Sequence, residues 1–121
     1  MLQHVSLEVK PDQVRACVAF WELLGFTEIE APPILRDRFT WVERDGTHIH
    51  LVPVDDPAVP VEGHTAVVQP DGETIARLQA HGFEPRAGSN AWDAPRWFVH
   101  DPAGHRVEVM SAPPVPPWPG E

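Results

Sequence analysis

The sequence predicts an α+β fold of two βαβββ modules whose strands form a curled mixed sheet. Three observations predict it: an internal repeat, strands that alternate apolar and polar residues, and two helical stretches that each end at a glycine. His4-Val5-Ser6-Leu7-Glu8-Val9 matches His64-Thr65-Ala66-Val67-Val68-Gln69 at an offset of 60, and Leu24-Gly25-Phe26 matches His81-Gly82-Phe83 at 57. Arg38-Phe39 matches Arg96-Trp97, and Gly46-Thr47-His48-Ile49-His50-Leu51 matches Gly104-His105-Arg106-Val107-Glu108-Val109, both at 58. Such close offsets in the same order define modules 3–53 and 63–111 of a single domain, 1–121, with a proline-rich tail over 112–121.

In the first module, Val5, Leu7 and Val9 give a strand with one apolar side. Pro11-Asp12 opens a helix that carries Val14, Cys17, Val18, Trp21 and Leu24 at three- and four-residue spacing, and Gly25 caps it in the left-handed conformation. An extended piece Thr27 to Ile29 follows, then a strand near Phe39 to Glu43, a turn at Arg44-Asp45-Gly46 and a strand from Thr47 to Val52. The second module repeats the plan. It has a strand at Thr65 to Val68, a helix from about Gly72 to Ala80, the Gly82 cap, a strand near Trp97 to His100, the turn Asp101-Pro102-Ala103-Gly104 and a strand from Arg106 to Met110. The segment Val54 to Gly63, rich in proline and acid, joins the two.

Composition narrows the function classes. Eighteen acidic against nine basic residues give a formal charge of −9, a field that repels phosphate backbones and anionic lipid, so neither nucleic acid nor a membrane is an expected partner. No apolar run is long enough to span a bilayer, and Met1 to Glu8 lacks the features of a signal peptide, so the chain is expected in the cytoplasm. The single cysteine, Cys17, has no partner for a disulfide or a thiolate metal pattern and reads as a small buried hydrophobe.

Strand parity then sorts the side chains. Ile49 and Leu51, like Val107 and Val109, face the core, which leaves His48 and His50, or Arg106 and Glu108, on the other face. His4, Ser6 and Glu8 oppose Val5 and Leu7, and His64 repeats His4. Phe39, Trp41, Trp97 and Val99 read as core, with Arg38, Thr40, Arg96, Phe98 and His100 on the polar side. His4, His50, His64 and Glu108 thus fall at matched inward positions. Any one alone is as readily a hydrogen-bonded surface residue, but imidazole nitrogens with a carboxylate are the donor set of Zn²⁺, Ni²⁺, Mn²⁺, Co²⁺ or Fe²⁺.

At these residues the chain resembles the vicinal oxygen chelate superfamily, which includes glyoxalase I, extradiol dioxygenases, and fosfomycin and bleomycin resistance proteins. The resemblance covers residues 3 to 111. Its most specific parts are the helix end Phe20-Trp21-Glu22-Leu23-Leu24-Gly25-Phe26 and the closing pair Phe98-Val99-His100-Asp101-Pro102-Ala103-Gly104-His105-Arg106-Val107-Glu108. It implies that the modules curl into a cup around a divalent metal held by His4, His50, His64 and Glu108, and, at this size, a homodimer whose cups are built across a two-fold axis. The activity it implies is lyase or isomerase chemistry on a small oxygen-rich substrate, with Glu108 as catalytic base. His48 and His100 become candidates for proton transfer at the substrate, Phe98 lies on the substrate face, and Arg38 and Arg96 would favour an anionic substrate. A dioxygenase fits less well, because the chain has no tyrosine. The alternative from another class is a metal-free small-molecule binding protein of the bleomycin resistance kind, with Trp92 as the tryptophan placed to line its groove.

Overall fold

The computed structural model describes residues 1–120 and divides into two compact units. The first holds residues 1–60 together with the turn Asp101–His105, and the second holds Val61–His100 and the chain from Arg106 onward. Each unit has its own four-stranded mixed sheet, so the strands sort by module into two sheets.

The first unit contains β1 (His4–Val9), a 3₁₀ turn (Pro11–Gln13), α1 (Val14–Leu23), β2 (Thr27–Ile29), β3 (Thr40–Arg44) and β4 (Thr47–Pro53). Its sheet order is β1-β4-β3-β2, with β1 parallel to β4 and the other pairs antiparallel. A parallel pair cannot be joined by a tight turn, so the chain crosses over through α1 and the two middle strands before it returns beside β1. Cys17, Val18, Phe20, Trp21 and Leu24 are buried on one side of α1, which packs over β2, β3 and β4, and Val42, Ile49 and Leu51 face them as the buried side of the sheet. Trp21 sits edge-on to both Phe20 and Phe26 at ring separations of 5.4 and 5.2 Å.

Gly25 ends α1 as predicted. At φ +88° it takes the left-handed conformation, and the Phe26 amide donates back to the Trp21 carbonyl at 3.1 Å. The second helix ends identically: Gly82 is at φ +86° and Phe83 N–H donates to the Leu78 carbonyl at 3.1 Å. That unit contains β5 (His64–Val68), α2 (Thr74–Ala80), β6 (Arg86–Ala87), β7 (Arg96–His100) and β8 (Arg106–Met110), in the order β5-β8-β7-β6. The two-residue β6 carries too few side chains for alternation to reveal it in the sequence.

The two β-hairpins differ by one residue. Asp45 (φ +51°) and Gly46 (φ +86°) form a two-residue turn that pairs Arg44 with Thr47. Its counterpart is a three-residue turn over Pro102 to Gly104, closed by the Asp101 amide donating to the His105 carbonyl at 2.9 Å. The offset between modules is therefore 57 in the strand that leads into the turn and 58 in the strand that follows it. This corrects the sequence reading of β3: Trp41 pairs with His50, as Phe98 pairs with Glu108, and belongs to the polar face, while Val42 takes the core position. Arg38 precedes β3 and has no strand equivalence with Arg96. Trp97, whose strand position was read correctly, pairs with Val109 on the core side.

The Asp101–His105 turn packs within the first unit. His105 donates from Nε2 to the Glu8 carbonyl at 2.7 Å, and Asp101 Oδ1 accepts from the Ala103 and His105 amides at 2.9 and 2.8 Å. Burial, followed by the neighbouring Asp101 carboxyl, pushes the Cys17 thiol up to about 12. Cys17 should therefore resist a disulfide reagent at pH 8 in the folded protein and react stoichiometrically in denaturant; comparable rates in the two states would contradict its burial. Because the folded thiol holds its proton to about pH 12 while the unfolded one releases it near 8.5, stability should fall as pH rises through that interval, and Cys17→Ala should remove this component.

Candidate functional site

In each unit the parallel strand pair lays two potential donors diagonally across the ladder. In the first, β1 and β4 pair His4 with His48 and Ser6 with His50. His4 reaches across to His50, and their rings stack at 4.1 Å with 18° between planes. On its other side His50 meets the Trp41 indole at 4.0 Å and 3°. The result is a three-ring stack, Trp41, His50, His4. His48 is also in reach, its Nδ1 being 3.1 Å from His50 Nε2. Burial, then the two neighbouring histidines, pull the His50 imidazole down to about 4, so it is neutral at physiological pH.

The second unit repeats the diagonal with different chemistry. His64 pairs with Arg106 and Ala66 with Glu108, and His64 reaches across so that its Nε2 lies 3.1 Å from Glu108 Oε1. The Glu108 carboxylate is buried, and its other oxygen accepts from Arg96 Nη1 at 3.3 Å. Arg96 is fixed on every side: Nε donates to the Ser89 carbonyl at 3.0 Å, Nη2 to the Ser89 hydroxyl at 2.7 Å, and the guanidinium lies 4.9 and 5.2 Å from the Trp92 and Phe98 ring centres. Gly88 admits this packing, because a Cβ there would stand 3.1 Å from both Arg96 and Phe98. Ser89 and Gly88 carried no signal in the sequence, lying in an irregular loop.

Phe98 stands edge-on to His64 at 5.5 Å and beneath the Arg106 guanidinium at 3.9 Å. His100 is exposed at the end of β7, opposite Arg106. Arg38 is exposed, with its guanidinium 4.9 Å from the Phe39 ring centre. Trp92, expected to line a groove, donates its indole N–H to the Ala112 carbonyl at 3.2 Å and receives Arg96 on its face.

Imidazole nitrogen and carboxylate oxygen are donor types that divalent metals accept. His64 donates from Nδ1 to the Glu62 carbonyl at 2.9 Å, which turns Nε2 toward the Glu108 carboxylate. A proton or a cation between Nε2 and Oε1 would satisfy both atoms. His4 is held in the same way, Nδ1 to Gln3 Oε1 at 2.7 Å, with Nε2 left over. Among the described residues no three His, Cys, Asp or Glu side chains form a set that could hold a metal ion: His4 and His50 lie in the first unit and His64 and Glu108 in the second. Also among the described residues, no helix is long and apolar enough to cross a membrane.

The solved structures similar to this chain share its architecture. A Bacillus anthracis protein placed in the glyoxalase family is 26% identical with a TM-score of 0.81, over 91% of this chain and 93% of that one. The genomically encoded fosfomycin resistance protein of Listeria monocytogenes matches at 18% identity and a TM-score of 0.76, over 93% and 91% of the two chains. A glyoxalase/dioxygenase from Nostoc punctiforme matches at 16% and 0.74 over the same shares. No family model and no curated protein matches the sequence.

The depressed His50 value has a testable sign. In chelator-treated protein, the unfolded chain takes up a proton near pH 6.5 that folded His50 refuses until about 4, so stability should fall as pH drops through that interval. Denaturation curves of His50→Phe should show a flatter decline over the same range, and a parallel decline would mean that other groups cause it.

Proposed function

We propose, from the vicinal oxygen chelate fold that this chain shares with glyoxalase and dioxygenase structures, that it is a divalent-metal-dependent lyase or isomerase acting on a small oxygen-bearing molecule. The observation that carries this reading is the His64–Glu108 pair, with an imidazole nitrogen and a buried carboxylate oxygen converging at 3.1 Å. His64 Nε2, Glu108 Oε1 and His4 Nε2 would hold the ion, with His50 as a fourth donor. When bound, the ion supplies Lewis-acid polarisation of adjacent substrate oxygens. Glu108 is the base: Arg96 retains Oε2, so Oε1 would take the proton, through the lone pair that it does not give to the ion. His48, in contact with His50, is placed to relay a proton, and exposed His100 and Phe98 on the polar side of β7 are candidates for contact with substrate. Arg38 and Arg96 as anion-binding residues remain part of the reading, although Arg96 already serves Glu108.

Apoprotein should bind one Zn²⁺, Ni²⁺ or Mn²⁺ per chain in a calorimetric titration, and His64→Ala or Glu108→Ala should weaken binding about 100-fold or more, since even groups behind the ligands are worth 10–100-fold. Unchanged affinity in both variants would place the site elsewhere, and no binding by the parent would favour metal-free sequestration. Arg96→Met should lower metal affinity by about tenfold while the protein stays folded, because it releases Glu108 from one geometry. Light scattering should show a dimer at micromolar concentration. If its two chains share each site, a mixture of His4→Ala and Glu108→Ala proteins should recover metal binding that neither shows alone.

A further inference from the structure

The polar face of the first sheet is walled on one side by the segment that precedes β3. Residues 32–39 form tight turns, with Leu35 and Arg36 amides donating to the Pro32 carbonyl at 2.8 and 3.0 Å and Arg38 and Phe39 amides to that of Leu35 at 2.9 and 3.0 Å. This brings Leu35 and Phe39 to the edge of a cavity of about 510 Å³, with Trp41, Val52 and the His4/His50 stack as the remaining walls. A cavity of that size suits a small molecule.

Its lining decides which molecule. Along the strands Val52 lies two residues to one side of the row formed by Ser6, His50 and Trp41, and His4 two residues to the other, so the lining runs from apolar at Leu35, Phe39 and Val52 to polar at Gln3 and His4. No Asp, Glu, Lys or Arg lines it, so a charged ligand would find no counter-ion there, and its desolvation would be uncompensated. The Trp41, His50 and His4 rings stack face to face, 3° and 18° apart, so the histidines cover one face of the indole, and the Trp41 and Phe39 rings are the aromatic walls of the apolar part.

We infer that this cavity takes a neutral, planar aromatic molecule whose ring lies among Leu35, Phe39, Trp41 and Val52 and whose hydroxyl or carbonyl oxygen points toward His4. The inference rests on the proposed function only for the meaning of the oxygen edge and departs from it in taking a neutral ligand, since neither Arg38 nor Arg96 lines this cavity; the ring site itself needs no metal. A phenol or hydroxylated bicyclic ring satisfies both ends, whereas a carboxylate or phosphate satisfies neither.

The test uses the full chain after chelator treatment, so it is independent of whether a metal binds. The probe is 1-naphthol, titrated against the indole N–H resonances, with 1-naphthoate and cyclohexanol as comparators. Saturable one-to-one binding that shifts the Trp41 resonance, at least tenfold tighter than either comparator, is the expected result. Leu35→Asp on the turn and Trp41→Leu in the sheet should each weaken it at least tenfold, with circular dichroism confirming the fold. If Trp41→Leu does not fold, Leu35→Asp and the resonance shift in the parent decide. The inference is overturned if naphthol does not saturate, if naphthoate binds as tightly, or if the folded variants bind naphthol like the parent. It is equally overturned if the parent fails to bind while Leu35→Asp turns a dimer into a monomer, because the cavity is then covered by a second copy of the chain.

Discussion

The parallel pairing of the first and last strand in each module is the constraint on which the rest of the structure depends. Strands β1 and β4, or β5 and β8, can lie side by side in the same direction only if the chain crosses over between them, and the helix and middle strands are that crossover. The same pairing decides which side chains can meet. On a parallel ladder the diagonal neighbour on one face is within reach of a ring or carboxylate, so His4 finds His50 and His64 finds Glu108 without any loop to bring them together. Donors on adjacent paired strands are held more rigidly than donors on loops.

Much of this was legible in the sequence because the decisive signals are local. Gly25 and Gly82 ended both helices where the spacing of apolar residues said they should, with the same backbone bond from the following phenylalanine. Alternation placed Ile49, Leu51, Val107 and Val109 inside and His50 and Glu108 on the opposite face, as observed in the pairing. The error at Trp41 has an equally local cause. A two-residue turn at Asp45-Gly46 and a three-residue turn at Pro102 to Gly104 look alike as clusters of turn formers, yet the extra residue moves every side chain of one strand to the other face relative to the repeat. Counting outward from Asp45-Gly46 as a two-residue hairpin would have put Trp41 beside His50. Contacts made by irregular segments, such as Leu35 against the sheet or Ser89 against Arg96, have no period to be read from.

Within the second unit the electrostatic arrangement follows from burying Glu108. A carboxylate with 5% of its surface exposed needs partners, and it has two of different kinds: Arg96, whose charge is permanent, and His64, whose charge depends on its protonation. Arg96 in turn is fixed by Ser89 and by two aromatic rings, so the carboxylate is aimed by a group that cannot itself reorient. A conformationally fixed cation on one oxygen leaves the other oxygen as the variable position. That position is where His64 points.

The two modules have therefore diverged in opposite directions from one backbone plan. At the equivalent of Glu108 the first module carries His50, at the equivalent of Phe98 it carries Trp41, and at the equivalent of Arg106 it carries His48. The cavity on the first face is accordingly aromatic and lined by no Asp, Glu, Lys or Arg, with His50 kept neutral by burial and by its neighbours, whereas the second face is ionic, with Arg96 and Arg106 both against Phe98. An apolar, aromatic-walled cavity suits a ring, and a buried carboxylate with a directed imidazole suits a cation or a proton. A duplicated module with two identical faces would offer the same chemistry twice. Substituting three matched positions gives one chain both kinds of surface without altering the strand pairing that positions them.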